Sequence, residues 1–460
     1  MYLQWMRELA PPKPAWPASQ YKLQFDASYE PVVAGKTVFV GSMVSDSVTA
    51  YDTETGTEKW RFYTDGPVRF APVVYRNRLY VACDDGYLYC LSAENGSMIR
   101  KFLAGPRPNR VLGNDRLIGM WPMRGGPVLY EDTVYFAAGI WPFMGTFIYA
   151  IDAESGEIVW DNSGSGSTFT MQPHKSPAFA GVAPQGYMVV TEDKLLVSGG
   201  RSVPAAYDRK TGKFLYYHMN EYGKAGTSEV IASGDHFFNR GAIHKLSDGI
   251  AVSAAPASVI EGDVVIGQKS NDTIIAYKLR PQAKRAQELW TFKTPSGLGK
   301  IHLKAGSRVY CSGKEGEVIG IDVADDTGEP KVSWTAKVDG NVSSMTTASL
   351  PISMAGKSYA PVSAVAAGPG LRTSRNMSAK AGSISGSTTT AVSCARGQTC
   401  WRSKAIMKKL TVPLSRFILR WSSARVGTPL PVQCSGLPSL TVSSASRSMP
   451  TMLPAVRRSS

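Results

Sequence analysis

One recurring pattern restricts the fold of this chain more than any other feature. Ala50-Tyr51-Asp52-Thr53-Glu54-Thr55-Gly56-Thr57-Glu58-Lys59-Trp60 is matched by Ala150-Ile151-Asp152-Ala153-Glu154-Ser155-Gly156-Glu157-Ile158-Val159-Trp160. Ala206-Tyr207-Asp208-Arg209-Lys210-Thr211-Gly212-Lys213-Phe214-Leu215-Tyr216 is a third copy. The shared form is A-x-D-x-x-[TS]-G-x-x-x-[WY]. Residues 90–100 are a worn copy that keeps Gly96, and 276–290 and 320–334 are copies with a longer turn ending in Trp290 and Trp334. Residues 242–249 are the weakest copy. The starts fall at 50, 90, 150, 206, 242, 276 and 320. Their typical gap is about the forty-odd residues of a four-stranded propeller blade.

The chemistry of the pattern is structural. An Asp side chain accepts turn N–H bonds, and Gly supplies positive φ at a tight corner. The Trp opens the following strand with a large apolar face. Two more short strands precede each copy, such as residues 31–33 and 37–41, split by Ala34-Gly35-Lys36, and 127–130 and 133–138. Each unit therefore reads as strand A, tight turn, strand B, loop, strand C, T-G turn, strand D. A solenoid or an immunoglobulin array needs no Trp after every T-G turn.

The motif resembles the tryptophan-docking motif of pyrroloquinoline-quinone (PQQ)-like repeat β-propellers. That class includes quinoprotein alcohol dehydrogenases, BamB-like propellers of outer-membrane barrel assembly and many exported bacterial proteins. The resemblance spans residues 24–348. It implies an all-β propeller of four-stranded blades, eight in the intact protein with seven as second choice, incomplete in this chain. It also implies that each Trp docks onto the next blade. The expected docking set is Asp52, Gly56 and Trp60; Asp152, Gly156 and Trp160; Asp208, Gly212 and Tyr216; and Trp290 and Trp334.

The two ends read differently from the middle. Residues 1–23 form a Pro-rich segment in which Trp5-Met6-Arg7 resembles the strand-D opening Trp60-Arg61-Phe62, so a closing strand is expected there. No basic region or apolar core of a signal peptide is visible. The lack of strands A to C before Trp5 predicts a late or truncated start; the family resemblance, not the chain itself, implies an export signal upstream and a periplasmic or otherwise extracytoplasmic location. The last acidic residue is Asp339. Residues 340–460 hold 15 of the 51 Lys and Arg, so the formal charge of +15 belongs to this tail alone. The tail is Ser-rich without period. Residues 349–460 are read as a disordered or frame-shifted extension, with a polyanion-binding tail and, against its lack of period, a folded C-terminal domain as the alternatives. Cys394, Cys400 and Cys434 lack metal-ligand spacing. The +15 thus argues for no specific nucleic-acid partner. No stretch approaches the ~18 apolar residues of a transmembrane helix.

Catalytic signatures are sparse. Quinoprotein dehydrogenases, as a family, use a vicinal Cys pair, a catalytic Asp and Ca²⁺, and no two Cys here are adjacent. Cys83 and Cys90 flank Asp84-Asp85-Gly86, where residue 83 is expected to pair with Leu88, so no disulfide is expected. The five His (His174, His218, His236, His244, His302) form no metal-binding pattern. Gly164-Ser165-Gly166-Ser167 lacks the Lys of a phosphate loop and reads as a connector. Asp84-Asp85 reads as a hairpin turn rather than a cation site.

Strands of a blade alternate direction, so B–C loops and D–A connectors share one face. That face collects the long, unusual segments: Arg69, Trp121-Pro122-Met123-Arg124, Trp141-Pro142-Phe143, His174-Lys175 and Arg201. Function usually sits on such loops, and Trp with Arg is common hot-spot chemistry. The bland alternative is that both Trp-Pro loops pack on each other and close the ring. The sequence favours a non-enzymatic propeller without a cofactor or metal. It would bind a protein or a small anionic or carbohydrate-like ligand on this face. A PQQ- and Ca²⁺-dependent oxidoreductase is the alternative, and an accessory or sensor module of a larger enzyme the second.

Overall fold

A computed structural model describes residues 5–113, 115–166, 169–171, 176–179, 181–219, 226–239, 241–279, 287–323, 329–338, 342–347, 366–367, 390–394 and 398–400. The chain divides into Met1–Ser422 and Ser423–Ser460, and every described residue lies in the first part.

Seven four-stranded antiparallel meanders occur among the described residues. Blade 1 is Val32–Ala34, Thr37–Ser42, Ser47–Asp52 and Glu58–Tyr63. Blade 2 is Val73–Tyr75, Arg78–Ala82, Tyr87–Ser92 and Met98–Leu103. Blade 3 is Met123–Tyr130, Thr133–Ala138, Phe147–Asp152 and Ile158–Asn162. Blade 4 is Gly186–Val190, Lys194–Val197, Ala205–Asp208 and Phe214–Tyr216. Blades 5, 6 and 7 begin at Ile231–Ser233, Val259–Glu261 and Lys300–Ala305 and end at Ala251–Ala254, Gln287–Lys293 and Lys331–Lys337. An eighth sheet pairs Val342–Thr347 with Thr390–Cys394 and Gln398–Cys400. Its first strand lies against the first strands of blades 7 and 1.

The repeat motif builds the same corner each time. Asp52 Oδ1 accepts the N–H groups of Glu54 and Thr55, both at 2.9 Å. Asp152 accepts in the same way from the N–H groups of Glu154 and Ser155, and Asp208 from those of Lys210 and Thr211. These bonds hold the Asp152 carboxyl below the usual carboxylate range, the Ser155 N–H contributing most. Gly56, Gly156 and Gly212 sit at φ 69°, 76° and 69°, where any side chain is strained. One residue then bulges out of strand D in all seven blades, Lys59 in blade 1, where Ala50 pairs Trp60 but Tyr51 pairs Glu58. Such a bulge re-aims the next side chain, and here it turns the Trp toward the neighbouring blade.

The core fills the gaps between blades. Phe39, Val48 and Ala50 of blade 1 pack with Leu79, Val81 and Leu91 of blade 2 beneath Trp60. Another core joins Val38 and Val40 of blade 1, Tyr310 and Val318 of blade 7, and Val342 and Met345 of the eighth sheet. Trp5 and Trp334 pack against it.

Three expectations need correction. The sequence reading puts residues 123–126, with Arg124, in the connector after blade 2, ahead of a strand A over 127–130. They form the start of an eight-residue inner strand whose two register shifts absorb Pro127, so Arg124 lies in strand A of blade 3. The Cys83 turn is one residue longer than expected: Ala82, not Cys83, pairs Leu88, and Cys83 bridges Val68. No closing strand forms over the described residues of the N-terminal segment, although Trp5 docks there. The tail beyond 348 falls mostly outside the described residues. Where it is described it forms three short strands, Ala366–Ala367, Thr390–Cys394 and Gln398–Cys400.

Candidate functional site

The loop face is where the sequence-predicted residues meet, and the N-terminal segment lies across them. This segment has only one short 3₁₀ turn, Ala18–Gln20, and is held by polar contacts to successive blades. Lys13 offers its carbonyl to Arg69 Nη1 at 2.8 Å. Trp16 Nε1 donates to Gln185 Oε1 at 3.0 Å, ahead of blade 4. Gln20 accepts from Arg201. The Gln24 carbonyl accepts from Ser228 Oγ at 2.9 Å, ahead of blade 5. Leu23 packs so tightly on Gly200 that a Cβ there would lie 2.5 Å from it.

Under this segment four charged side chains form a buried cluster. Arg69, in the connector entering blade 2, donates from Nε to Asp84 Oδ2 and from Nη1 to Asp26 Oδ2, both at 2.5 Å. Arg124 Nη2 reaches Asp84 Oδ2 at 3.1 Å. Asp26 also accepts the Ala15 N–H, at 2.9 and 3.2 Å. Phe25 stacks on Phe70 at 4.6 Å, with the Arg124 guanidinium 5.7 Å from its centroid, and Tyr187 meets Phe70 edge-on. These rings exclude water, so charge interactions inside are strong. Burial pushes the Asp26 carboxyl up, opposed by Arg69 and Arg124. Burial alone would lower Arg69, but Asp84 and Asp26 outweigh it and raise its pKa. Arg124 is lowered by burial, with Asp84 only partly opposing. Arg124 Nε and Asp84 Oδ1 are buried with no hydrogen-bond partner.

The aromatic loops take different roles. Trp121 Nε1 donates to Met144 O at 2.7 Å and its ring meets Phe147 edge-on, so this Trp does pack on the loop after Trp141. Trp141 precedes the short turn Pro142–Met144 and Phe143 lies within it, and they stay 49% and 68% exposed. They stack on one another, and Trp16 meets Trp141 edge-on. His174 and Lys175 lie outside the described residues. Sequence reasoning missed Asp26 and Trp16, which sit in a Pro-rich stretch without period. It noticed Asp84 but read it only as a turn. It also missed the hairpin Arg110–Gly113 and Arg116–Gly119 in the connector after blade 2, where Leu112 and Leu117 pair across the strands and are 85% and 52% exposed. The alternation of Val111-Leu112 and Leu117-Ile118 around Gly113 and Asp115 was the available signal. Arg116 anchors this hairpin to Asp46 and to Met43 O in the B–C turn of blade 1, which puts it on the loop face.

The docking residues lie away from this cluster, at the blade seams. Trp60 Nε1 donates to Ala93 O at 3.2 Å, Trp160 Nε1 to Arg209 O at 2.8 Å, and Tyr216 Oη to Leu246 O at 3.0 Å, each on the next blade. Trp290 packs against a core that includes Ile319, Ile321 and Val323 of blade 7. Trp334 meets Tyr310 of its own blade.

The residues present do not fit PQQ with Ca²⁺. Cys83, Cys90 and Cys311 are each buried and free. Among the described residues no group of three or more His, Cys, Asp or Glu could hold a metal ion. The carboxylates of the cluster, Asp26 and Asp84, are engaged by two guanidinium groups that would repel a divalent cation.

The sequence profile of the family described as "Outer membrane protein assembly factor BamB" matches residues 3–279. Tetrathionate hydrolase of Acidithiobacillus ferrooxidans is 27% identical over 201 residues, which is 43% of this chain and 37% of that protein. The chain thus spans little more than a third of that relative's length. Among solved structures, BamB from Moraxella catarrhalis is 13% identical with a TM-score of 0.47, covering 74% of this chain and 94% of that one. Quinohemoprotein alcohol dehydrogenase from Comamonas testosteroni is 15% identical with a TM-score of 0.48, covering 71% and 70%. No helix among the described residues is long and apolar enough to cross a membrane.

Proposed function

The chain belongs to the family of the outer membrane protein assembly factor BamB, and we propose from that premise that it is a non-enzymatic propeller that docks a partner protein outside the cytoplasm. The partner seats on the loop face. The observation that carries this reading is the hairpin Arg110–Gly119, which belongs to no blade and presents the cross-strand pair Leu112 and Leu117 to solvent. Two exposed leucines held on a rigid hairpin cost solubility unless something covers them. Trp141 and Phe143 add a second apolar contact on the same face, and exposed Trp is typical of contact centres. The tight-turn face offers polar turns such as Arg76-Asn77 and Glu192-Asp193 instead.

The test is site-specific photo-crosslinking in the cells that make the protein. A benzophenone amino acid replaces Leu112 or Trp141 on the loop face, and Lys36 or Asn77 on the tight-turn face. The expected result is one shared cross-linked protein from the first two positions and none from the others. Cross-links confined to Lys36 or Asn77 overturn the assignment of the face, and none from any position overturns the docking function.

A further inference from the structure

We propose that Arg69 and Arg124 form a binding site for the carboxylate group of a small ligand, and that Asp26 is the resident stand-in for that group. The site is separate from the hairpin and aromatic loops of the docking face, and its test does not depend on a partner protein.

The argument begins with where the four charges come from. Arg69, Asp84 and Arg124 belong to the propeller itself, to the connector into blade 2, the B–C turn of blade 2 and the inner strand of blade 3. Asp26 alone arrives from the N-terminal segment. With Asp26 in place the cluster is neutral. Without it, two buried guanidinium groups face one carboxylate, and a buried unpaired cation is strongly unfavourable. The propeller therefore presents an anion site that its own chain fills.

A second, independent observation points to a ligand. Arg124 is 2% exposed, yet its Nε has no partner. Asp26 satisfies Arg69 and leaves Arg124 with a single bond, at 3.1 Å to Asp84. Native structures rarely leave such groups unmade, because each costs its full desolvation penalty. A free carboxylate is not tethered at the geometry that the Ala15 N–H imposes on Asp26. It can bridge both guanidinium forks, the geometry in which Arg and carboxylate match best. The segment above has no strand ladder to resist displacement: apart from the packing of Ala15, Trp16, Leu23 and Phe25, it is held over blades 2 to 5 by single polar contacts.

Malonate is the probe, with sulfate as the arm for sulfur oxyanions and sodium chloride at equal ionic strength as the control for screening. The full chain and its Asp26→Asn variant are titrated. A tethered carboxylate competes at an effective concentration in roughly the millimolar range or above, so Asp26→Asn is expected to bind malonate at least about tenfold more tightly than the parent. Adding Arg124→Gln to Asp26→Asn is expected to abolish the gain. In the parent, malonate is expected to speed amide hydrogen exchange at Ala15, whose N–H is held by Asp26, with a saturating dose response. Equal malonate affinity of parent and Asp26→Asn overturns the proposal. If Asp26→Asn does not fold, the exchange measurement decides: no saturable change at Ala15, or the same change with chloride, overturns it. A response to sulfate and not to malonate overturns the carboxylate assignment.

Discussion

Trp5 lies flat on the Gly56 corner of blade 1, with a Cβ at Gly56 falling 2.3 Å from Trp5 Cδ2. Its Nε1 donates to Thr53 O at 3.0 Å, and Arg7 Nε donates to Gly56 O at 2.9 Å. Trp160 and Asn162 make the same two bonds to Arg209 O and Gly212 O on blade 4. The N-terminal residues thus do for blade 1 what strand D of one blade does for the next. This happens without a strand ladder among them, so the docking geometry is set by the side chain and its corner rather than by the strand that carries it.

The seam between blades 1 and 2 tests this device. Trp60→Ala is expected to destabilise by roughly 3–5 kcal/mol, as loss of a large packed aromatic does. Gly96→Ala faces two costs. One is a φ of 75°, about 1–2 kcal/mol for an L side chain; the other is a Cβ 2.5 Å from the Trp60 ring. The second cost vanishes when Trp60 is already Ala. The double variant should therefore lose less stability than the two single losses together, measured by denaturant unfolding. Simple additivity would mean that ring and corner do not touch.

His302 sets an acid-sensitive term. Burial, with Lys300 adding to it, holds its pKa down at about 3, against 6.5 when free. The folded chain keeps this imidazole neutral, bonded to Ser312 Oγ at 3.0 Å. The unfolded chain takes up a proton below 6.5, so stability from this group is fully present above 6.5 and falls as pH drops toward 3. The slope is at most about 1.4 kcal/mol per pH unit. His302→Gln should flatten the fall in melting temperature between about pH 7 and about pH 4.5. An unchanged acid limb would mean that His302 is protonated in the folded state.

The blades were legible because the corner is chemically exacting. An Asp, a positive-φ Gly and an aromatic at fixed spacing mark its clearest copies, and a worn copy such as residues 90–100 still keeps Gly96. There Arg100 takes the aromatic's place, donating to Glu154 O at 2.7 Å. The loop face was legible from strand alternation alone. Its chemistry was not. The sequence puts Arg69 and Arg124 on a ligand or partner face, and the structure buries both against Asp26 and Asp84. Nothing local in the Pro-rich segment announces that Asp26 will meet Arg69, 43 residues away. A pairing between an irregular segment and a connector leaves no period to read.

PQQ is expected not to bind as a redox cofactor. The reason is electrostatic as much as the lack of adjacent cysteines, since Asp26 and Asp84 are committed to two arginines. Titration of the full chain with PQQ and Ca²⁺, followed by dye-linked alcohol oxidation, is the measurement. The expected outcome is substoichiometric binding without turnover. A tight one-to-one complex that oxidises alcohol would replace the docking function with an enzymatic one.

The exposed leucines make the sharpest distinction between a working surface and a structural one. Leu112 and Leu117 pair across a two-stranded hairpin that is tied down by Arg110 to Asp65 at 3.4 Å and by Arg116 to Asp46. Leu112→Asp should change folding stability by no more than about 0.5 kcal/mol, because almost all of that side chain is already in water. Leu79→Ala, in the fully buried core between blades 1 and 2, should cost about 2–5 kcal/mol. If the hairpin is a docking element, Leu112→Asp also removes the cross-link made from Trp141, since a charge at the contact centre is costly to desolvate. Loss of stability comparable to that of Leu79→Ala would make the hairpin part of the fold. An intact cross-link from Trp141 would leave the aromatic loop as the contact and the hairpin outside it.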